Sequence, residues 1–372
     1  MIFDISDEVF RKIINDEKLF LPLRWNGDDF ISTLKGLFDY YIDKIIEQAQ
    51  TNPNHSRLNV LKEHIEIVSG LIIKSLQHYL NGFPHQAFNG FEKAMKILIG
   101  TPLKIYQKSV TEQFEDPRND DDLNLYRVVR VSDNKPYTRS RVFHTPYNLR
   151  SKVSTSRYSI AGYPSLYLST SLNLCCEELH LNPLVDYALT SLFRFERTIE
   201  YSNVNIRVIE LGIKPQDFFN REFLNESSER HRYINHGMIN SKDFRSAYLL
   251  WYPLVAACSF IRVNKNDPFA AEYIIPQLLM QWIRTEIKIN DELDQLMGIR
   301  YFSCASVRAS EMGFNYVFPT SGKQKTNSQY CDVLSKAFKL TKPIYIHEYD
   351  SINACERHLN RSFDFRFVES DT

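Results

Sequence analysis

The hydrophobic period of this chain changes once, and that change sets its architecture. In ISTLKGLFDYYIDKIIEQAQ (31–50) apolar residues recur every three or four positions until the run meets TNPNHS. VLKEHIEIVSGLIIKSLQHYL (60–80) repeats the pattern and ends before Asn81-Gly82, and HQAFNGFEKAMKILIG (85–100) repeats it again with Gly100 as its stop. Such spacing predicts amphipathic helices, and short connections between them predict an all-helical bundle over 1–115. The polar, acidic stretch TEQFEDPRNDDDL (111–123) reads as a linker. Beyond it the pattern shortens to strand-like runs: NLYRVVRV (124–131), SLYLSTS (165–171), SLFRFERTIE (191–200), VNIRVIEL (204–211), GIRYFSCAS (298–306), YVFPT (316–320) and KPIYIHEY (342–349). Two helical patterns interrupt them. LNLCCEELHL (172–181) has Ser171 or Thr170 near its cap, and EYIIPQLLMQWIRTE (272–286) has Pro276 near its first turn. The expected fold class is therefore α+β, with a mixed domain over 124–320 and a C-terminal extension over 321–372 packed on it. No GxGxxG or P-loop pattern is present, which argues against a doubly wound nucleotide fold.

Composition narrows the function. The chain balances 45 Lys and Arg against 45 Asp and Glu. That balance offers no concentrated basic surface of the kind a nucleic-acid backbone needs, so no nucleic-acid partner is expected. Its 25 Phe, 21 Tyr and 3 Trp supply a substantial core. SAYLLWYPLVAACSFI (246–261) is the longest uncharged apolar stretch, but Pro253 interrupts it and Arg245 and Arg262 flank it. It is shorter than the ~20 residues of a membrane span, so it reads as a buried core segment and no membrane association is expected. Cys175, Cys176, Cys258, Cys304, Cys331 and Cys355 form no CxxC pair, and the start MIFDISDEVFRK has neither the basic nor the apolar part of a signal peptide. Reduced thiols in a cytoplasmic protein are expected. His55, His64, His78 and His85 make no metal-ligand spacing, and no metal is expected.

The polar residues within the strand region need a separate reason. Arg127 lies in a strand. Arg157 and Tyr158 precede the turn at Gly162, and Tyr167 lies in the next strand. Glu177 and Glu178 follow on a helix, and Ser303 ends GIRYFS. Singly, each has an ordinary reading: a strand-edge arginine at the surface, a core tyrosine with its hydroxyl at the rim, a solvated glutamate. Together they suit an anionic nucleotide. Two arginines can clamp a diphosphate through bidentate bonds. A tyrosine can stack on a planar ring, and a carboxylate can stabilise positive charge developing at an anomeric carbon.

LYR (125–127), SRYSIAGYPSLYLSTSLNLCCEE, EYIIPQLLMQWI and GIRYFS, taken in order, resemble the RES domain, named for an Arg, a Glu and a Ser. The likeness covers about 124–320. RES proteins resemble ADP-ribosyltransferases in fold, and characterised members degrade NAD, some of them as phosphorylases that yield ADP-ribose 1''-phosphate and nicotinamide. Many are toxins of bacterial toxin–antitoxin pairs. The resemblance implies an NAD-consuming enzyme with NAD as substrate and inorganic phosphate as co-substrate. An antitoxin protein is the implied partner, and a homo-oligomer is a further expectation. Arg127 matches the first family arginine, Arg157 the arginine of Gly-Arg-Trp/Phe-Asn, Tyr167 the tyrosine of the LYL strand, Glu178 the glutamate and Ser303 the serine. Glu177 is the alternative if the register slips by one. Catalytic roles then fall to Arg157, Tyr167, Glu178 and Ser303, and nucleotide binding to Arg127 and Tyr158. SRYS departs from the family segment, because Ser156 replaces a glycine and Ser159 an amide. Protein ADP-ribosylation and a non-catalytic binding module are the rival readings. Arg130 and Arg139 read as surface residues, Cys304 as a packed small residue, and Asp243 and Arg245 as pairing residues bordering the buried segment. His144 and His180 stand as minor acid–base candidates.

Overall fold

A computed structural model describes residues 5–51, 55–99, 104–106, 124–182, 185–195, 205–219, 241–264, 266–286, 294–320 and 329–368. The expected linker 111–123 and the expected stop at Gly100 lie outside the described residues. The chain divides into two compact units: one drawn from Met1–Lys104, Ile213–Ser227 and Ile234–Trp282, the other from Ile105–Gly212, Ser228–Tyr233 and Ile283–Thr372.

The first unit is helical. Its helices are α1 (Asp7–Ile14), α2 (Phe30–Thr51), α3 (His55–Leu80) and α4 (Pro84–Leu98), with α6 (Lys242–Ala257) added from later in the chain. Periodicity does what it predicts. Helix α2 buries Phe30, Leu34, Phe38, Tyr41, Ile45 and Ala49, and α3 buries Leu58, Leu61, Ile65, Val68, Ile72 and Leu76. Helix α1 begins at Ser6, whose hydroxyl accepts from the Val9 amide at 3.4 Å, with Asp7 and Glu8 in its first turn.

The apolar stretch 246–261 forms most of α6, which runs through Pro253 and is buried at nearly every position after Phe244. A proline inside a helix cannot donate to the carbonyl four residues back. Here that carbonyl belongs to Leu249, and the Tyr41 hydroxyl donates to it at 2.8 Å. The Tyr41 ring is fully buried against Tyr252, with centroids 4.5 Å apart, and burial holds its hydroxyl well above the usual phenol range. Arg245 pairs with Asp7, as its expected pairing role requires.

The second unit is built on one mixed sheet. Its strands are β1 (Lys104–Tyr106), β2 (Leu125–Arg130), β3 (Ser165–Ser169), β4 (Ala188–Phe195), β5 (Asn205–Leu211), β6 (Asp294–Tyr301), β7 (Asn315–Pro319), β8 (Phe338–Leu340) and β9 (Ile344–Tyr345). They lie in the order β1-β5-β6-β7-β3-β2-β4-β8, with β9 also paired to β4. Only β5 and β6 run parallel among the described pairs. Helix α5 (Leu172–Glu178) is capped by Ser171, whose hydroxyl accepts from Leu174 N. Together with the helix Ile352–Asn360 it covers one face through Leu172, Cys175, Cys176, Cys355 and Leu359, which pack on Tyr126, Val128, Ala188 and Leu192. Phe143, Leu166, Leu168, Phe193, Phe318 and Phe338 form another core of the same unit. Gly298 admits β7 at close range, because a Cβ there would strike the Val317 carbonyl and the Phe318 ring. All six cysteines are free and buried.

Two features of this sheet position the site. Strands β2 and β3 share a single register pair, Tyr126↔Ser169, whereas β3 pairs with β7 along its whole length, from Ser165↔Pro319 to Ser169↔Asn315. The second feature is a buried ion pair between β5 and β6. Glu210 stands opposite Arg300 at 3.2 Å, and the Arg300 guanidinium lies 3.8 Å over the Phe314 ring.

Candidate functional site

A two-residue turn begins the site. Ser156 N donates to Ser159 O at 2.9 Å and Ser159 N donates back to Ser156 O at 3.1 Å, leaving Arg157 and Tyr158 at the tip. The same serines fix the next strand. Their hydroxyls each lie 2.8 Å from the Tyr167 hydroxyl, and Ser159 also donates to Ser165 at 2.9 Å. SRYS is thus a closed turn whose two serines bracket the tyrosine of β3.

From the other side comes Tyr301, the last residue of β6. The Tyr158 ring packs on it at 4.7 Å, inclined by 56°. Burial lifts the Tyr301 hydroxyl well above the usual phenol range, and the charges of Glu178, Tyr167 and Tyr158 add to that effect while Arg157 opposes it. Tyr301 also stands opposite Asn315 in the β6–β7 register, so direct contacts link Tyr158 to this phenol and the serine turn to Tyr167, while Arg157 and Glu178 act on the phenol through their charges. Their exposure is uneven. Arg157 retains 8% of its surface and Tyr158 1%, whereas Tyr167 and Glu178 are half-buried and form the accessible part.

Between the two adjacent glutamates the geometry distinguishes clearly. Asn315, the first residue of β7, donates its amide to Glu178 Oε1 at 2.6 Å, and its own carbonyl accepts from the Ser169 hydroxyl. That second bond fixes which way the amide points. Glu178 is held by this relay, while the Glu177 carbonyl accepts from His180 N.

Arg127 reaches this group through the backbone. Its Nη1 donates to the Tyr167 carbonyl at 2.9 Å, in the gap where β2 and β3 cease to pair. Its Nε is buried and has no hydrogen-bond partner among the described residues. Desolvation brings its pKa down to about 10. Ser303 lies two residues beyond Tyr301 and is fully buried, and its hydroxyl accepts from Ala305 N at 3.1 Å. Direct contacts thus join the Arg157–Tyr158 turn to Tyr167, and Arg127 to the Tyr167 carbonyl, while Glu178 is held from Asn315. The hydrogen bond given for the Ser303 hydroxyl is to its own loop.

Several neighbours read differently in the fold. His144 is fully buried, and its Nε2 accepts from Cys331 N at 2.9 Å. Nδ1 must then carry the proton and donate to Thr145 O, also at 2.9 Å. Burial pushes its pKa down to about 4, so it is a neutral structural histidine rather than an acid–base group. His180 is exposed, in left-handed backbone at φ 48°. Arg139 corrects the surface reading: it is 2% exposed and binds Leu340 O at 2.9 Å and Asp364 at 2.8 Å. Arg130 is exposed as expected, and Cys304 is packed at 5% exposure. Sequence pattern alone does not mark Tyr301 or Asn315 as site residues: Tyr301 stands in GIRYFS two residues before Ser303, where it reads as core, and Asn315 carries no local signal.

Among the described residues, no group of three or more His, Cys, Asp or Glu is placed to hold a metal ion. No described helix is long and apolar enough to cross a membrane. The chain is 27% identical over 355 residues to a Bacillus subtilis (strain 168) protein named "Putative toxin YopC", an alignment covering 90% of this chain and 70% of that protein. No family model matches the chain, and no solved structure matches it.

Proposed function

We propose that this protein cleaves the nicotinamide–ribose bond of NAD by phosphorolysis, releasing nicotinamide and forming ADP-ribose 1''-phosphate. The observation that carries this reading is the set of contacts that ties the Arg157–Tyr158 turn to Tyr167 through its two serines, sets Tyr158 on Tyr301, and holds Glu178 from Asn315, which faces Tyr301 across β6 and β7. One half-buried carboxylate held by a neutral amide, in the same region as a buried guanidinium and several phenols, suits a reaction that develops positive charge at a sugar carbon. In this reading Arg127 and Arg157 hold the diphosphate. Arg127 has a buried Nε to offer, and guanidinium forks suit phosphate oxygens. Tyr158 backs Tyr301, which with Tyr167 walls the nicotinamide ribose. Glu178 accepts from that ribose and stabilises C1 as the bond breaks. Nicotinamide departs with the bonding electron pair as a neutral base, so it needs no general acid. Phosphate then bonds to C1. A toxin held in check by an antitoxin protein is the matching biological role, in keeping with the name of the relative.

The test is incubation of the purified protein with NAD, with and without inorganic phosphate, and product identification by mass spectrometry. ADP-ribose 1''-phosphate should appear only with phosphate and should be lost in Glu178→Ala and Arg157→Ala. Free ADP-ribose would make the reaction a hydrolysis, and a modified macromolecule would make it ADP-ribosyl transfer. Intact NAD with measurable NAD binding would leave a binding module.

A further inference from the structure

Helix α3 carries a residue that nothing among the described residues explains. Gly70 lies in the interior of its 26 residues, and a Cβ added there would meet nothing within 4 Å. Its backbone is not left-handed either. Glycine in a helix interior destabilises it relative to alanine, because it has more backbone freedom to lose. The core gains nothing in return, since Leu61, Ile65, Val68, Ile72 and Leu76 bury the opposite face of α3.

Three residues share the outer face with Gly70. Glu63, Ile67, Gly70 and Lys74 are spaced by four, three and four positions, so they form one stripe. Glu63, Gly70 and Lys74 are exposed, and Ile67 keeps 51% of its surface in water. Neither Glu63 nor Lys74 forms an ion pair with a described residue; the neighbouring pair on this helix joins Lys62 to Glu66. Singly these are ordinary surface residues. Their order makes the stripe complementary to itself. Its spacing reads the same from both ends, with a large apolar side chain and a glycine inside and opposite charges outside. A second α3 laid antiparallel, about a two-fold axis between Val68 and Ser69, sets Ile67 on the second copy's Gly70 and Glu63 on the second copy's Lys74. The reverse contacts follow by symmetry. Parallel pairing would instead set Glu63 against Glu63 and Lys74 against Lys74.

We propose that the outer face of α3 is the interface of a homodimer in which two copies of the helix cross antiparallel at Gly70. The missing Cβ lets the helices approach and gives Ile67 a hole to fill. Burial of Ile67 supplies the attraction, and the charges fix direction and register. Within one helix Glu63 and Lys74 are about 16 Å apart, too far to pair with each other. The pairing lies in the helical unit and is independent of the NAD chemistry proposed for the sheet.

The experiment is sedimentation velocity of the full chain from about 1 to 100 μM, which covers micromolar association. The wild type should pass from monomer to dimer. Gly70→Leu should weaken association about tenfold or more, because the new side chain fills the hole and holds the helices apart. In the monomer it meets open space and is the better helix former, so the fold survives, as circular dichroism would show. Glu63→Lys and Lys74→Glu should each weaken association about tenfold, since each sets like charges together twice per dimer. Mixed in equal amounts, these two variants should form a heterodimer, because each supplies the charge the other has lost. A wild type that stays monomeric overturns the proposal, even if it binds some other protein. A dimer that Gly70→Leu leaves unchanged also overturns it, as does a mixture that associates no better than its two components.

Discussion

Tyr41→Phe offers a sharp test of how the helical unit is held. The change removes one oxygen from a fully buried ring and leaves the packing against Tyr252 intact. What it strands is the Leu249 carbonyl, which Pro253 cannot serve. An unsatisfied buried carbonyl costs about 1–3 kcal/mol, more than the ~1 kcal/mol net value of an ordinary hydrogen bond. The control lies in the helix itself. Pro253→Ala supplies an amide that can close the i to i−4 bond to Leu249, so Tyr41→Phe in that background should cost under about 0.5 kcal/mol. The Pro253→Ala change carries its own cost in lost ring contacts, which the double-mutant cycle subtracts. Urea unfolding of the four proteins, followed by far-ultraviolet circular dichroism, gives the coupling. A penalty for Tyr41→Phe that is the same with alanine at 253 would refute the argument, because the hydroxyl would then be doing something other than replacing the missing amide.

Four further outcomes follow from the second unit. His144 binds a proton at about 4 when folded and at 6.5 when unfolded, so the unfolded chain takes up a proton between those values and the folded one does not. Stability should therefore fall as pH drops from 6.5 toward 4, by up to about 3 kcal/mol, and His144→Gln should remove that part of the slope in denaturation curves taken across the window. Asn315→Leu removes the amide that holds the Glu178 carboxylate and should lower the rate of the proposed NAD cleavage about 10- to 100-fold in initial rates, with about 1–3 kcal/mol of stability lost at the buried Ser169 hydroxyl in thermal unfolding. Ser156→Ala and Ser159→Ala each keep the other serine's bond to the Tyr167 hydroxyl, so each alone should cost only a few-fold in the rate of the proposed reaction and the pair together about tenfold or more, a non-additivity that steady-state kinetics would detect. Glu210→Ala removes the carboxylate facing Arg300 at 6% side-chain exposure and should cost about 3–5 kcal/mol, whereas Glu210→Leu with Arg300→Met should recover most of it in chemical denaturation.

The sequence was most legible where a pattern had room to repeat. Helices α2 and α3 each carry at least six buried positions at three- and four-residue spacing, so their identity does not depend on context. Helix α1, with eight residues, offers too few turns for the same inference. The buried stretch 246–261 was legible as core. Its continuation through Pro253 was not, because the group that makes it tolerable is a hydroxyl some two hundred residues earlier. Site residues divide the same way. Arg157, Tyr158, Tyr167 and Glu178 lie within one short stretch of chain, and local pattern brings them to notice. Asn315 reaches Glu178 from a strand 137 residues away, and only the β3–β7 register places it there. Arg139 misled because charge is a sound guide to exposure until a carboxylate and two carbonyls converge on it.

The fork between β2 and β3 explains why the polar cluster sits where it does. Continued pairing past Tyr126↔Ser169 would give the Tyr167 carbonyl a main-chain donor from β2 and close the sheet. Instead Arg127 supplies that donor from its side chain, so the strands can part without leaving the carbonyl unpaired. The substitution has a cost. A guanidinium now stands in a desolvated position with a buried Nε unused, and its pKa falls to about 10. A fold selected for stability alone would gain by returning to the ordinary ladder. Retaining a desolvated cation at an open strand edge, one hydrogen bond from the residue that the serine turn also grips, makes physical sense when an anion completes it. The same local arrangement then accounts for the parted strands, the bracketed Tyr167 and the unfilled donor together.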